Sequence, residues 1–143
     1  MASAVPNLAA VNAVEVSQVK TKLTLCHLPP SVNAIWRHAH GKTYRTKAYV
    51  EWIRGEEWNV TPQLRGQQRF VGPVYVTVAM RRPRANSDID NRIKAILDFL
   101  QHIGAIDNDK NVYGINAFWS ANLKAGTAAE ISIVQADELG AAA

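Results

Sequence analysis

Val74-Tyr75-Val76-Thr77-Val78-Ala79-Met80, running straight into Arg81-Arg82-Pro83-Arg84-Ala85-Asn86-Ser87-Asp88-Ile89-Asp90-Asn91-Arg92-Ile93-Lys94, is the stretch that decides the fold. The first seven residues are rich in valine and threonine, follow the break at Gly72-Pro73, and read as the strongest strand of the chain. Pro83 closes that strand. Ile89, Ile93, Ile96, Leu97, Leu100 and Ile103 then recur at helical spacing, and Gly104 is a natural stop. A strand that hands over to an amphipathic helix needs a sheet on one side and a packed helix layer on the other.

Working outward, Lys20 to His27 reads as a first strand that Pro29-Pro30 ends. Pro30 to Lys42 reads as a loop carrying aromatic and basic residues. Lys47 to Val60 has the spacing of a helix, with Tyr49, Trp52, Ile53 and Trp58 on one side. Asn111 to Ser120 reads as a strand that Gly114 and Asn116 weaken. Asn122 to Gly126 is a turn, and Glu130 to Val134 a last strand. The order is therefore βαβαββ. The fold class this implies is α+β, a single domain of mixed β-sheet with helices packed on it. The expected domain is 20–136, between a flexible N-terminal extension, 1–19, and a C-terminal tail, 137–143. A chain of 143 residues is long enough to bury one proper core.

Cys26 is the sole cysteine, which excludes an intrachain disulfide and a thiolate zinc cluster built within one chain. It lies in the apolar run Leu23-Thr24-Leu25-Cys26 and reads as a small core residue. A reducing cytoplasm suits it. The N-terminus lacks a positively charged start, and Pro6, Asn7, Asn12 and Glu15 interrupt its apolar residues, so it makes a poor signal peptide and no membrane span.

Charge is distributed unevenly. Five of the six aspartates fall within the 22 residues from Asp88 to Asp109. No acid lies between Trp58 and Ser87, where Arg65, Arg69, Arg81, Arg82 and Arg84 stand, and before residue 51 the only acid is Glu15. The net charge of +4 thus understates how positive most of the surface is. A polyanionic partner and a plain solvated basic surface both follow from this pattern.

Asp88 and Asp90 sit where the strand hands over to the helix, a place that fixes side chains at the surface. Asp90, Lys94 and Asp98 are spaced four apart and share one helix face. Asp109 follows Gly104 in a turn that can fold back on the helix. Carboxylates so crowded repel unless a cation sits among them, and oxygen ligands of this kind suit Mg2+ or Mn2+. Each piece also has a structural reading. Ser87 and Asp90 have the form of a capping box, Asp90 and Lys94 that of a surface ion pair, and Asp107-Asn108-Asp109 that of an Asx turn. Taken together with the upstream arginines, the pieces point to metal-dependent phosphodiester chemistry. His38-Ala39-His40 has no obvious third ligand nearby, so it does not make a second metal site.

Asp88-Ile89-Asp90-Asn91-Arg92-Ile93-Lys94, then Asp98-Phe99-Leu100, Gly104 and Asp109, resembles the signature of the RusA-type Holliday junction resolvases, Asp-x-Asp-Asn-x-x-Lys followed by Asp-x-Leu, Gly and a final acidic pair. Pro29-Pro30-Ser31-Val32-Asn33 with Arg37 is similar to that family's Pro-Pro-Ser-x-Asn segment. The resemblance runs from about Lys22 to Val134. It implies a homodimeric, Mg2+-dependent endodeoxyribonuclease, encoded by a bacterium or a phage. The enzyme would nick opposed strands of a four-way DNA junction in recombination and repair, leaving 5′-phosphate and 3′-hydroxyl ends. By the same resemblance Asp88, Asp90 and Asp109 are the metal-holding carboxylates and Lys94 the base or charge beside them. Asp98, Asp107 and Asn91 stand as supporting or substitute groups. Where the family shows two adjacent aspartates this chain has Asn108-Asp109, which leaves Asp107 as an alternative ligand. The rival implication is a non-catalytic branched-DNA-binding protein whose acidic site is degenerate.

For DNA contact the sequence offers Arg69, Arg81, Arg82 and Arg84, with Arg37, Lys42 and Arg45 on the early loop. Trp36 and Tyr44 are candidates for stacking on exposed bases or for packing. Trp52, Trp58 and Trp119 read as core or dimer-interface residues. Neither a membrane nor a small-molecule cofactor is called for.

Overall fold

The chain runs β1 (Lys20–Leu25), a 3₁₀ turn (Val32–Ala34), β2 (Trp36–Ala39), β3 (Lys42–Arg45), α1 (Lys47–Leu64), β4 (Val74–Met80), α2 (Asp90–His102), a second 3₁₀ turn (Asp109–Asn111), β5 (Val112–Trp119) and β6 (Ala129–Gln135). The computed structural model describes residues 19–136. The expected tail, and all of the expected extension but Val19, lie outside the described residues.

Strands β1, β6, β4 and β5 form one sheet in that order. The first two pairings are antiparallel and β4–β5 is parallel. Within this sheet the succession is β1, α1, β4, α2, β5, β6, a mixed sheet with two helices, as the hydrophobic pattern predicts. Alternation decides which face is covered. Leu23 and Leu25 of β1, Val74, Val76 and Val78 of β4, and Ile131 and Ile133 of β6 are all buried, while Lys20, Lys22, Thr24 and Glu130 face out. The helices cover the apolar face with Tyr49, Trp52, Val60 and Leu64 from α1 and Ile96, Phe99 and Leu100 from α2. Trp52 joins the two helices, its ring 5.2 Å from that of Phe99.

Among the described residues, the outer edge of β1 is closed by side chains rather than by another strand. Asn59, Gln63 and Gln67 recur every four residues from the end of α1 into the turn beyond, so they face one way. The Gln63 amide accepts from the Thr24 N–H (2.8 Å) and donates to the Thr24 carbonyl (3.0 Å). The Gln67 amide does the same for Lys22, at 2.8 and 2.7 Å. Asn59 adds a second donor to the Thr24 carbonyl at 2.9 Å. Three amides thus stand in for a neighbouring strand on an edge that would otherwise be open.

Four expectations need correction. The stretch after Pro30 is not all loop, because Trp36–Ala39 pairs antiparallel with Lys42–Arg45 in a separate hairpin. Helix α1 does not end at Val60. It runs through Pro62 to Leu64, because burying Leu64 and binding the β1 edge through Gln63 outweigh one lost backbone donor. Cys26 is exposed, not core. It lies one residue past β1, where its N–H donates to the carboxylate of the buried Glu56, which also accepts from His27 N. Trp58 is 83% exposed, since the buried face of α1 runs through Tyr49, Trp52, Glu56, Val60 and Leu64. Among the described residues no helix is long and apolar enough to cross a membrane.

Gln63→Ala should leave the Thr24 N–H to solvent and the Thr24 carbonyl with Asn59 alone, and destabilise the fold by about 1 kcal/mol. Urea unfolding should show a lower midpoint at an unchanged slope. An unchanged midpoint would mean that the amide ladder contributes nothing.

Candidate active site

At the end of β4 the chain is pinned before it turns. Arg81 N donates to Ala128 O, and Ser120 N donates to Met80 O. The Arg81 guanidinium binds the carbonyls of Leu123, Lys124 and Thr127 and so holds the β5–β6 turn. Residues 84–87 close a small turn, with Ser87 N on Arg84 O and Arg84 N on Ser87 Oγ. Asp88 and Asp90 emerge from it exposed, at the start of α2. No capping box forms. Ile89 stands at the cap position, and no side chain caps the helix.

Along α2, Asp90, Lys94, Asp98 and Gln101 share one face, and the turn after the helix folds onto it. The Lys94 ammonium donates to Asp98 Oδ1 at 2.9 Å and to Asp109 Oδ2 at 2.8 Å. The ion pair of Lys94 is therefore with these two carboxylates and not with Asp90. Gln101 Oε1 accepts from Asp109 N at 2.9 Å and holds the backbone of that residue against the helix. Gln101 was not singled out from the sequence, although its place seven residues after Lys94 was a usable signal.

Asn108 and Asp107 have other work. The Asn108 side chain accepts from Lys110 N, so it caps the 3₁₀ turn that carries Asp109. Asp107 accepts from Gly72 N (3.2 Å) and Asn111 Nδ2 (3.0 Å), which ties it to the chain ahead of β4. The Asx-type arrangement is thus present, and it presents Asp109 rather than Asp107 to Lys94.

The electrostatics follow from these contacts. Hydrogen bonds donated to Asp109 first, and then to Asp98, raise the Lys94 pKa well above the ordinary lysine value. The Lys94 hydrogen bond lowers the pKa of Asp109. Asp107 is lowered too, chiefly by Asn111.

Among the described residues, no three of His, Cys, Asp and Glu stand together as a metal-holding group. Lys94, Asp98 and Asp109 are brought together, whereas Asp88 and Asp90 make no hydrogen bond or ion pair with them. The donor chemistry still suits a hard divalent cation: carboxylate oxygens only, with a lysine ammonium already seated on Asp109 as a positive charge. Asn91 lies beside Asp88 on the wall of a cleft of about 400 Å³.

The basic residues divide. Arg69 donates to Ile103 O at 2.8 Å and lies over Gly104, where a Cβ would meet its Nη1 at 2.7 Å. It therefore holds the end of α2, as Arg81 holds the β5–β6 turn, and both remain exposed. Arg82 stacks over Trp119 at 5.8 Å. Arg45 lies over Trp36 and Tyr49, at 5.8 and 5.6 Å. Arg37, Lys42, Trp36 and Tyr44 are exposed on the hairpin. Arg92, which the sequence reading passed over, donates through Nη1 to Pro29 O and so ties α2 to the Pro-Pro loop. Burial first, and then the Arg84 charge, lower its pKa.

A family model described as Endodeoxyribonuclease RusA matches residues 27–133. No curated protein matches the chain.

A depressed Asp109 pKa means that its ion pair contributes above the ordinary carboxylate pKa and is lost as pH falls through the lowered value. In metal-free protein, Lys94→Ala should raise the Asp109 titration midpoint toward the usual aspartate range, read by carboxyl-carbon NMR. An unmoved midpoint would overturn the pairing.

Proposed function

The chain belongs to the RusA family of endodeoxyribonucleases, whose activity is Holliday-junction-resolving cleavage, and from that premise we propose a specific working of this site. The protein acts as a homodimer on branched DNA and nicks two opposed strands of a four-way junction. In each subunit Asp88, Asp90 and Asp109 would hold Mg2+ or Mn2+. The observation that carries this reading is the Lys94 ammonium gripped by Asp98 and Asp109 on the helix face that begins at Asp90.

A divalent ion bound there would lower the pKa of a water and offset charge on the scissile phosphate. The chain's own residues do the rest. Lys94, held by Asp98 and Asp109, serves as a positive charge for a phosphate oxygen. Asp98 positions Lys94 from one side, and Gln101 positions Asp109 through its backbone. Arg84 and the hairpin cations Arg37, Lys42 and Arg45 supply sequence-neutral phosphate contacts. The capping bond of Asn108 accounts for an amide at that position without the loss of a ligand, and this favours an active enzyme over a degenerate DNA-holding relative.

The test is cleavage of a synthetic four-way junction beside a linear duplex of the same arms. Wild type should make paired symmetric nicks in the junction alone, in Mg2+ or Mn2+. Asp90→Asn should keep junction binding and lose activity by a factor on the order of 10²–10³. Equal nicking by that variant would sink the site assignment.

A further inference from the structure

Beside Asp88 lies the cleft of about 400 Å³, walled on one side by Pro30, Ser31 and Ala34 and on the other by Pro83 to Ser87. Two guanidinium groups, Arg84 and Arg92, line it, together with the side chains of Asn86 and Asn91. Arg92 Nε is buried and, among the described residues, has no hydrogen-bond partner, although its Nη1 is anchored on Pro29 O. The Arg84 side chain makes no hydrogen bond or ion pair there either. Two guanidinium groups share this cleft with one carboxylate, that of Asp88, and the exposed Arg84 side chain has no partner there, so net positive charge remains for an anion to meet.

We propose that the Arg84–Arg92 cleft is a phosphate subsite that seats a backbone phosphodiester of the DNA strand next to the bond cut at Asp88. This rests on the junction-cutting reading and gives it a direction. The strand would pass from the carboxylates at the start of α2 into the groove between the Pro-Pro loop and the 83–87 turn. A planar guanidinium fixed by the Pro29 carbonyl loses little freedom when it meets a phosphate oxygen, whereas Arg84 closes on it from the exposed side. Ser31, Asn86 and Ser87 line the same walls and supply neutral donors.

The test uses full-length protein and a four-way junction in Ca2+, so that binding is read without cutting. Arg84→Ala removes an exposed side chain that no fold contact uses. It should weaken junction binding about 5–10-fold and reduce the slope of log affinity against log salt by about one. Arg92→Lys, which keeps the charge but loses the planar fork, should weaken binding in the same direction, with circular dichroism confirming the fold. A junction carrying one uncharged methylphosphonate beside the cleavage site should cost wild type a similar factor and cost Arg84→Ala nothing more. Unchanged affinity and salt slope in Arg84→Ala, or full additivity of the two changes, would overturn the subsite. A wild type that binds in this Arg84-dependent way yet cuts nothing in Mg2+ or Mn2+ would keep the subsite and remove the nuclease reading.

Discussion

Parallel pairing of β4 with β5 is the constraint from which the site follows. Parallel neighbours cannot be joined by a hairpin, so the chain must leave the end of β4, cross the sheet and return to the start of β5. Helix α2 is that crossing. Its first turn is fixed to the end of the most buried strand, and the segment after its last turn must fold back to begin β5. Asp88 and Asp90 belong to the outgoing end and Asp109 to the returning one. The helix is therefore a ruler between the two halves of the acidic stretch. The apolar side of that ruler, Ile96, Phe99 and Leu100, locks it to the sheet and to Trp52 of α1.

Much of this was legible because the responsible residues repeat with a period. Val74 to Met80 and the stripe from Ile96 to Leu100 carry their burial in their spacing, and the Asp88-to-Lys94 string carries the site's outline. The hairpin was hidden for the opposite reason. Nearly every residue of β2 and β3 is exposed, so no apolar alternation marks them. Pro62 hid the end of α1, since a local stop signal is visible in sequence while the contacts that override it come from Thr24, 39 residues away. Arg92 was passed over on the same ground, its anchor lying 63 residues away on Pro29.

The arginines show why charge counts alone mislead. Arg69 and Arg81 look like DNA contacts in a run of basic sequence, yet both bind backbone carbonyls at element ends, a common task for a group with five donors and no acceptor. Arg82 and Arg45 lie on aromatic rings. Such arginines are partly committed to the fold, whereas Arg37, Lys42 and Arg84 are exposed and, among the described residues, make no side-chain hydrogen bond.

Magnitudes explain why Lys94 needs two carboxylates. A single exposed pair four residues apart on a helix is worth about 0.3–0.5 kcal/mol, too little to hold a lysine with four rotatable bonds in one place. Asp98 alone would leave the ammonium sampling many positions. The second carboxylate comes from a turn that is itself held by Gln101 and capped by Asn108, so its place does not depend on Lys94. A charge pinned from two rigid elements is confined in a way that no local pair achieves. In the absence of other cations it also keeps Asp98 and Asp109 from repelling one another. The lysine thus offsets the charge of the acidic face, and the partners that hold it are Asp98 and Asp109 rather than the Asp90 that sequence spacing offers.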